Sequence, residues 1–336
     1  MSTLDAERTD LPDADDLHTH SVGTAVKQCT ETLLILASFL SFAAMTAGWL
    51  GKWHYLLDLA SQLRVQATIV MLVSGLNLWL LGRKRVGGAS LLMGGGLCLS
   101  MLPYYWPTDP VTGKTYRLMT ANVLTRNTNK AAVLKWIAET DPDFVVLQET
   151  NAAWTIAMER GLHDQYPYRR LMPRDDNFGI AMFSKHRWSK CDVVSFSIET
   201  MLPSLVAEFS LPNGEPLRLI ATHPLPPMRH STWSDRNRAF LGIADHAKRY
   251  GSQRMIVAGD LNCTPWSYWF RRLLKQSGLR DASLGQGLQS TWNPTSLPLP
   301  GMMIDHVLVG AEIKVADRVV GPGIGSDHRP VIVDFR

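Results

Sequence analysis

The stretch Gly325-Ser326-Asp327-His328-Arg329-Pro330 puts a carboxylate and an imidazole directly before an apolar run, Val331-Ile332-Val333. The β-branched composition of that run predicts a buried strand. A histidine beside a carboxylate can take part in proton transfer, because imidazole titrates near neutral pH. The same pair is also typical of a turn before a last strand, so the stretch by itself leaves both interpretations open.

Further polar residues stand at the edges of other predicted strands. Strand ends can converge at one edge of a sheet, and such edges commonly bind ligands in α/β proteins. A site rich in carboxylates with two histidines suits a hard metal ion and the cleavage of a phosphate ester. The residues are Asn122 after 118–121, Glu149 after 144–148, His223 after 219–222, Asp260 and Asn262 after 255–259, and Asp305 before 307–309.

Taken in order, these motifs resemble the endonuclease/exonuclease/phosphatase superfamily, which includes DNase I-like nucleases, abasic-site endonucleases, inositol polyphosphate phosphatases and neutral sphingomyelinases. The resemblance covers roughly residues 115 to 336. It implies a DNase I-like α/β fold, which is a two-sheet sandwich flanked by helices, and a metal-dependent phosphoric ester hydrolase. The motifs that carry it are Asn122, Gln148-Glu149, Thr222-His223-Pro224, Gly259-Asp260-Leu261-Asn262, Ile304-Asp305-His306 and Ser326-Asp327-His328.

The resemblance implies metal-binding roles for Glu149, Asn122 and Asp327. Glu149 is the first choice, because Mg²⁺ prefers one or two carboxylates together with waters and substrate oxygens. Without the resemblance, a surface glutamate near a helix start explains Glu149 equally well. Asn122 fits as a neutral partner of the metal or of a phosphate oxygen, although asparagine is more often a turn residue. Asp327 would contact the ion directly or through water, and the implied ion is Mg²⁺ or Mn²⁺.

Asp260 and Asn262 are two positions apart, so on an extended segment they face the same side. In the proteins that this chain resembles, this aspartate positions the attacking water and this asparagine holds the phosphate. A turn at Gly259-Asp260 is the alternative interpretation. His223 is expected to donate to a phosphate oxygen, and its alternative is a strand-end histidine with structural partners only.

His328 is expected to act as a general base or to stabilise the pentacovalent-like state. Asp305 would orient the His328 ring and support its imidazolium form. His306 adjoins Asp305 but should point to the other side of the strand, so we exclude it from the site.

Several other residues carry weaker expectations. Asn177 and Gly179 resemble a family segment that leads into a strand near the site. Arg236 could reach a substrate phosphate, although an arginine in such a helix is more often on a solvated face. Three tryptophans are expected to pack in the fold rather than to stack on bases, namely Trp266, Trp269 and Trp292.

Local patterns also predict individual elements of this domain. Residues 205–209 and 217–222 should form a hairpin through Pro212-Asn213-Gly214. Residues 234–248 should form a helix, with Ser234 as its N-cap.

The N-terminal third of the chain predicts a membrane region. Charged residues make up only 19% of the sequence, and three uncharged runs each approach the ~20 residues that span a bilayer. A cleaved signal peptide has one short apolar region near its start, so three runs exclude it, and a buried helical hairpin is the alternative. The predicted organisation is an acidic polar leader 1–31, a transmembrane region 32–106 with spans at about 32–50, 65–82 and 86–103, a linker 107–114 and the catalytic domain 115–336.

The orientation of these spans follows from their basic loop. Arg83, Lys84 and Arg85 predict a cytoplasmic connection between the second and third runs. With three spans, the protein is a multi-pass protein of the inner or plasma membrane, and its catalytic domain is extracytoplasmic. If the third run does not span, the catalytic domain is cytoplasmic.

These observations favour a membrane-anchored, divalent-metal-dependent phosphoesterase that attacks a phosphate mono- or diester with an activated water. An anchor at the membrane favours a lipid-like substrate. A metal-dependent endo- or exonuclease is the alternative, although a net charge of +4 is modest for a nucleic-acid binder. A non-catalytic binding or signalling module is the alternative of another class, and it would require the loss of a core residue.

Overall fold

The structure is a computed structural model that describes residues 14–293 and 300–336, with side chains from residue 23 onward. Residues 1–13 of the predicted leader lie outside the described residues. From Ala14 onward the chain is helical. The chain divides into two compact units, Met1–Ala43 with Ala67–Leu97 and Ala44–Gln66 with Cys98–Arg336.

The secondary structure separates into a helical N-terminal part and a mixed C-terminal part. The helices are α1 Ala14–Gly48, α2 Tyr55–Gln62, α3 Arg64–Leu80, α4 Lys84–Leu99, α5 Lys130–Thr140, α6 Ala152–Leu162, α7 His230–Tyr250 and α8 Tyr268–Ser277, with a short 3-10 helix at Leu102–Tyr104. The strands are β1 Tyr116–Asn122, β2 Phe144–Gln148, β3 Tyr168–Met172, β4 Ile180–Ser184, β5 Trp188–Val194, β6 Ser204–Ser210, β7 Pro216–Ala221, β8 Met255–Asp260, β9 Arg280–Asp281, β10 Asp305–Val309, β11 Val315–Val320 and β12 Val331–Phe335.

The strands form two six-stranded sheets, in the orders β11-β12-β1-β2-β4-β3 and β5-β6-β7-β8-β10-β9. Each sheet is mixed, because β1 runs parallel to β2 and β7 runs parallel to β8, while the remaining pairs are antiparallel. The prediction of a two-sheet α/β sandwich flanked by helices is confirmed.

The alternation of side chains along each strand explains the layers. In β1, Leu118 faces the core between the two sheets, whereas Met119 faces the outer layer that holds α5 and α6. In β8, Ile256 belongs to the inner core and Val257 packs in the outer layer with α7 and α8. Both faces of each sheet are therefore buried, which accounts for the continuous apolar runs in the sequence.

The predicted hairpin is present, since β6 and β7 pair antiparallel through the turn at 211–215. The predicted helix over 234–248 starts earlier than expected, at His230. Its true cap is Arg229, whose backbone N–H donates to the Thr232 hydroxyl at 3.2 Å, so Ser234 lies inside the helix. This cap could not be predicted from the sequence, because arginine is not a common N-cap residue.

Strand register brings the polar strand ends to one edge of the sandwich. The parallel pairing of β1 with β2 sets Asn122 beside Gln148, and the antiparallel pairing of β8 with β10 sets Asp260 opposite Asp305. Gly259 allows the close approach of β8 to the end of β7, because a Cβ there would lie 2.0 Å from the Thr222 carbonyl oxygen. Its φ of 148° is also one that other residues rarely adopt.

The interior of the first unit contains small and polar residues beside Met71 and Leu78, and many of its exposed side chains are large and apolar. The Ser90 hydroxyl donates to the Met71 carbonyl at 2.8 Å, and Glu31, which is buried, pairs with Arg83 at 2.8 Å. Gly87 of α4 allows a close approach to α3, since a Cβ at this position would lie 2.6 Å from the backbone nitrogen of Trp79. The exposed side chains include Leu33, Phe39, Leu40, Val73, Leu76, Leu80 and Leu92.

The expectation of about three transmembrane spans was wrong. Among the described residues, Gly23–Gly48 within α1 is the one helical segment both long and apolar enough to cross a membrane by itself. The helices over the second and third predicted spans, 65–82 and 86–103, are α3 with 17 residues and α4 with 16, because each ends before its apolar run does. A second span would require α2 and α3, which meet at 61°, to form one broken helix. The structure gives no support to a multi-pass topology or to an extracytoplasmic catalytic domain.

The second unit includes α2, which is fixed to the α/β sandwich by a buried ion pair. The Asp58 carboxylate and the Arg236 guanidinium are both fully buried and lie 2.6 Å apart. Asp58 also accepts from the Ser267 hydroxyl at 2.7 Å and from the Trp233 indole at 3.3 Å. Arg236 therefore lies neither on a solvated face nor at a position that contacts the phosphate, contrary to both expectations from sequence.

The Asp58→Asn variant should be strongly destabilised, because it leaves the Arg236 charge buried without its counter-charge. Breaking a buried pair in this way costs about 3–5 kcal/mol, which corresponds to a fall in Tm of roughly 6–20 °C. The measurement is thermal unfolding of the full-length chain followed by tryptophan fluorescence. Asp245→Asn, at an exposed position of α7, is the matched control and should leave Tm unchanged. Equal Tm values for both variants would contradict the assigned role of the ion pair.

Candidate active site

A cavity of about 280 Å³ opens where the polar strand ends meet. Two of the predicted site residues, Asn122 and Asp305, lie directly behind the lining of this cavity. Asn122 is hydrogen-bonded to Glu149 and Asp305 to His328, and both of these partners face the cavity. The structure therefore brings all the residues predicted from sequence to one place. Those that line the cavity are Glu149, His223, Asp260, Asn262, Asp327 and His328.

His328 lies between two buried carboxylates. Its Nδ1 is 2.9 Å from Asp305 Oδ2, and its Nε2 is 3.7 Å from Asp260 Oδ2. Burial alone would lower the pKa of His328, but the charges of Asp305 and Asp260 outweigh it and raise the pKa to about 10. The ring is thus positively charged at neutral pH, which favours a role as donor to developing negative charge over a role as general base.

Asp260 receives donors from several directions. Its Oδ1 accepts from the Asn262 backbone N–H at 2.9 Å, and its Oδ2 lies 3.4 Å from His223 Nε2. Burial opposes ionisation, yet the neighbouring His328 and His223 lower the pKa of Asp260 to about 2. The buried carboxylate therefore stays ionised at neutral pH and can accept a proton from, or orient, a water in the cavity.

Glu149 follows β2 in a left-handed conformation, with φ of 62°. One carboxylate oxygen accepts from Asn122 Nδ2 at 2.9 Å, and the other accepts from the Thr125 backbone N–H at 3.1 Å. The Asn122 oxygen accepts from the Leu124 N–H, so its nitrogen faces the carboxylates of Glu149 and Asp260. Non-glycine residues in this backbone region cost about 1–3 kcal/mol and cluster at functional sites. Asn262, with φ of 51°, is a second such residue in the same cavity.

Trp292 is a site residue that the sequence interpretation missed. Its indole nitrogen donates to Asp327 Oδ2 at 3.1 Å, and its ring centroid lies 6.3 Å from that of His328. The preceding Thr291 hydroxyl accepts from the Asp305 N–H at 3.1 Å. No local pattern marks Trp292, since its partner is 35 residues away in the chain.

The weaker expectations have mixed outcomes. Asn177 lines the cavity, and Gly179 leaves room for the Thr150 carbonyl, which would lie 1.7 Å from a Cβ. Trp266 and Trp269 pack against other residues of the fold, as expected. His306 is buried away from the cavity with its Nε2 2.9 Å from the Cys263 carbonyl oxygen, which agrees with its exclusion from the site.

Comparison with protein families identifies the family of this chain. The profile of the Endonuclease/Exonuclease/phosphatase family matches residues 119–328, which is more than half of the chain. The chain belongs to this family. No curated protein matched the sequence at the threshold of the comparison.

Three solved structures illustrate the proteins that share this fold. D. rerio TDP2, solved with a single-strand DNA product, has a TM-score of 0.54 and 16% identity, and the match covers 67% of this chain and 100% of that one. The catalytic domain of human Nocturnin, solved with a sulfate anion, has a TM-score of 0.56 and 16% identity, with 68% and 95% covered. Sphingomyelinase C from Streptomyces griseocarneus has a TM-score of 0.51 and 18% identity, with 66% and 99% covered. At these identities the likeness establishes the fold alone.

The family implies a divalent cation, and the donor set of this cavity fits one. In the part of the chain that the structure describes, Asp327 Oδ1 is buried without a hydrogen-bond partner. Glu149 is a half-buried carboxylate facing the same cavity. Carboxylate oxygens are the ligands that Mg²⁺ prefers, and an unpartnered buried oxygen is costly unless a cation or water meets it.

A second group of side chains could also hold an ion. Ligand atoms of Asp260, Asp305 and His328 all lie within 4.8 Å of one another. In this group His328 Nδ1 is already engaged by Asp305 at 2.9 Å, so the ring has one nitrogen less to offer to a cation. We therefore favour Glu149 and Asp327 as the residues that would hold the cation, with Asn122 orienting Glu149.

Replacing Asp305 by Asn should lower the pKa of His328. Asp305 supplies the larger of the two charges that favour the imidazolium, and loss of such a charge shifts a pKa by roughly one to three units. The measurement is an NMR titration of ¹³C-labelled histidine in the full-length chain without divalent ions. Asp245→Asn is the control and should leave the titration of His328 unchanged. A His328 pKa that is equal in both variants would contradict this account of the site.

Proposed function

We propose that this chain is a membrane-anchored, divalent-metal-dependent phosphoesterase that hydrolyses a phosphate ester with water. The observation that carries the proposal is the placement of Asp260 and His328 side by side on one cavity, with Glu149 and the unpartnered Asp327 oxygen beside them. Such a site offers a base for water, a donor for phosphoryl oxygen and carboxylates for a cation.

The proposed reaction is an in-line displacement at phosphorus. Asp260 orients a water and accepts its proton while the water oxygen bonds to phosphorus and the ester P–O bond on the opposite side breaks. The leaving oxygen departs with the electron pair of that bond and is protonated from solvent. His328 donates to a phosphoryl oxygen, on which negative charge develops. A Mg²⁺ or Mn²⁺ held by Glu149 and Asp327 would supply further stabilisation of that charge.

Two other residues fit the binding of the phosphate group. Asn262 uses one N–H of its amide to donate to the Pro224 carbonyl at 3.0 Å, so the other N–H can donate to a phosphate oxygen. His223 lies on the same cavity beside Asp260 and offers an imidazole N–H. The rigid loop 224–227, with three prolines, borders both of these side chains.

The proposal of a membrane anchor rests on the first unit. Many of its exposed side chains are large and apolar, whereas its interior contains Ser38, Ser90 and Gly87 beside Met71 and Leu78. Small residues between closely packed helices, with apolar side chains on the outside, are typical of helices that pack within a bilayer. The segment Gly23–Gly48 of α1 has the length and composition of a span.

A nuclease is the second candidate function, because the fold is shared with D. rerio TDP2, whose structure contains a single-strand DNA product. The modest net charge of +4 and the apolar side chains around the cavity favour a phosphate ester other than a nucleic acid. The two candidates share the same water attack and differ in the groups attached to phosphorus.

Turnover by the full-length chain should require a divalent metal together with Glu149 and His328. The substrates are methyl p-nitrophenyl phosphate, phospholipids, sphingomyelin, inositol phosphates and plasmid DNA, each with Mg²⁺ or Mn²⁺ and with EDTA. Glu149→Ala and His328→Ala should each lower kcat/KM about a hundredfold or more. Their matched controls are Glu159→Ala and His163→Ala, at exposed positions in or beside α6, and both should retain activity.

The pattern of turnover decides between the candidates. Hydrolysis of a lipid or a small ester that EDTA abolishes supports the proposal. Metal-dependent nicking of DNA, with no hydrolysis of lipids or small esters, supports the nuclease. Activity that survives EDTA or the Glu149→Ala change would overturn the proposed metal site. Absence of turnover on every substrate in a folded, metal-loaded protein would favour a non-catalytic binding module.

A further inference from the structure

The helix α2 contributes to the cavity although it lies outside the part of the chain that matches the family, residues 119–328. Leu59 and Gln62 line the same cavity as Asp260 and His328. Gln62 shares a face of α2 with Leu59, three positions before it, and with Asp58, four positions before it. The segment before the sandwich therefore supplies part of the cavity wall.

Buried contacts hold α2 in this position. Asp58 is fully buried against Arg236 and also accepts from the Ser267 hydroxyl. One turn later, the Gln62 side-chain oxygen accepts from the Thr264 N–H at 3.3 Å. Such contacts leave α2 little freedom to swing away from the sandwich, so we treat its residues as a fixed wall and not as a mobile lid.

The same contacts connect α2 to the residues that would bind phosphate. Arg236 Nη1 donates to the Asn262 carbonyl at 3.3 Å, while its Nη2 pairs with Asp58. Asn262 holds a left-handed conformation with φ of 51°. The Asp58–Arg236 pair thus supports both the cavity wall and the strained position of Asn262.

The cavity is polar where the strand ends meet and apolar around this part of its lining. Leu59 is half-buried, and Met228 is 68% exposed at the opening of the cavity. A phosphate group would lie against the carboxylates and imidazoles, and the group attached to it would contact the apolar side chains. These side chains are Leu59, Phe178, Pro226, Met228, Met302 and Ile304.

We propose that α2 is a specificity element of this active site, and that its Leu59 binds the apolar substituent of the phosphate ester. The inference rests on the proposed phosphoesterase function and names its substrate class, which is a phosphate ester with an alkyl or acyl-chain substituent. A membrane phospholipid and a soluble alkyl ester share this chemistry. Burial of each methylene of the substituent against the wall should favour binding.

The test is a homologous series of alkyl p-nitrophenyl phosphates, from methyl to hexyl, that share one chromophoric leaving group. The protein is the full-length chain exchanged into amphipol, so that free detergent does not compete for the apolar wall. Burial of a methylene is worth roughly a threefold gain, so kcat/KM for the hexyl ester should exceed that for the methyl ester at least tenfold in the unmodified chain. The ratio of the two values does not depend on the fraction of active protein.

Leu59→Ser should reduce the hexyl-to-methyl ratio to threefold or less, and Leu59→Met should restore it. Leu56→Ser changes an exposed leucine on the same helix that does not line the cavity, and it should keep the ratio of the unmodified chain. A flat series in the unmodified chain, or an unchanged ratio in Leu59→Ser, would overturn the inference. Absence of metal-dependent methyl ester turnover would instead reject the proposed function on which the inference rests.

A second arm of the experiment distinguishes the sources of the substituent. Dihexanoyl phosphatidylcholine as monomers and a long-chain phosphatidylcholine in vesicles present the same headgroup on apolar chains. If Leu59→Ser lowers the turnover of the vesicles and Leu56→Ser does not, the substituent is that of a membrane lipid. If the two variants differ in this way on the monomers, and the vesicles are not turned over, the substituent is that of a soluble ester. Equal effects of Leu59→Ser and Leu56→Ser on both substrates would overturn the role of Leu59.

Discussion

The active site depends on the register of two antiparallel strands, β8 and β10, which sets Asp260 directly opposite Asp305 in a buried place. Two buried carboxylates so close together require a compensating positive charge. His328, which lies in the segment before β12, is placed between them and supplies that charge. The proposed roles of His328 as a charged donor and of Asp260 as the carboxylate that orients a water therefore both depend on this one strand pairing. A slip of one of these strands by one residue would place the two carboxylates on opposite faces of the sheet.

A second constraint extends the catalytic unit toward the N-terminus. Arg236, in the middle of α7, is fully buried, and the acidic side chain paired with it comes from α2. A domain cut at the predicted linker 107–114 would retain the arginine and lose its counter-charge. The segment 44–66 therefore belongs to the same compact unit as the α/β sandwich. The domain boundary at residue 115 comes from the family resemblance and stays a prediction.

Much of the fold and site could be predicted from sequence, because apolar runs with a polar residue at each end specify strands and their functional edge. The positions of Glu149, Asp260 and His328 at strand ends were predicted in this way, whereas their roles were predicted from the family resemblance. Trp292 and Asp58 could not be found, since their roles depend on contacts that join distant parts of the chain, over 35 residues for Trp292–Asp327 and 178 for Asp58–Arg236. The number of transmembrane spans was overestimated for a different reason. An uncharged run of sequence determines neither where a helix ends nor in which unit the helix packs.

The most direct test of the central claim is a crystal structure of the full-length chain with Mn²⁺ and inorganic phosphate, in which anomalous scattering locates the ion. We expect an ion bound by the carboxylates of Glu149 and Asp327, and a phosphate that accepts hydrogen bonds from Asn262 and His328. We also expect the contact of His328 with Asp305 to be retained. An ion bound instead among Asp260, Asp305 and His328, with the histidine as its ligand, would contradict the assignment of His328 as the charged donor and of Glu149 as the metal-binding residue.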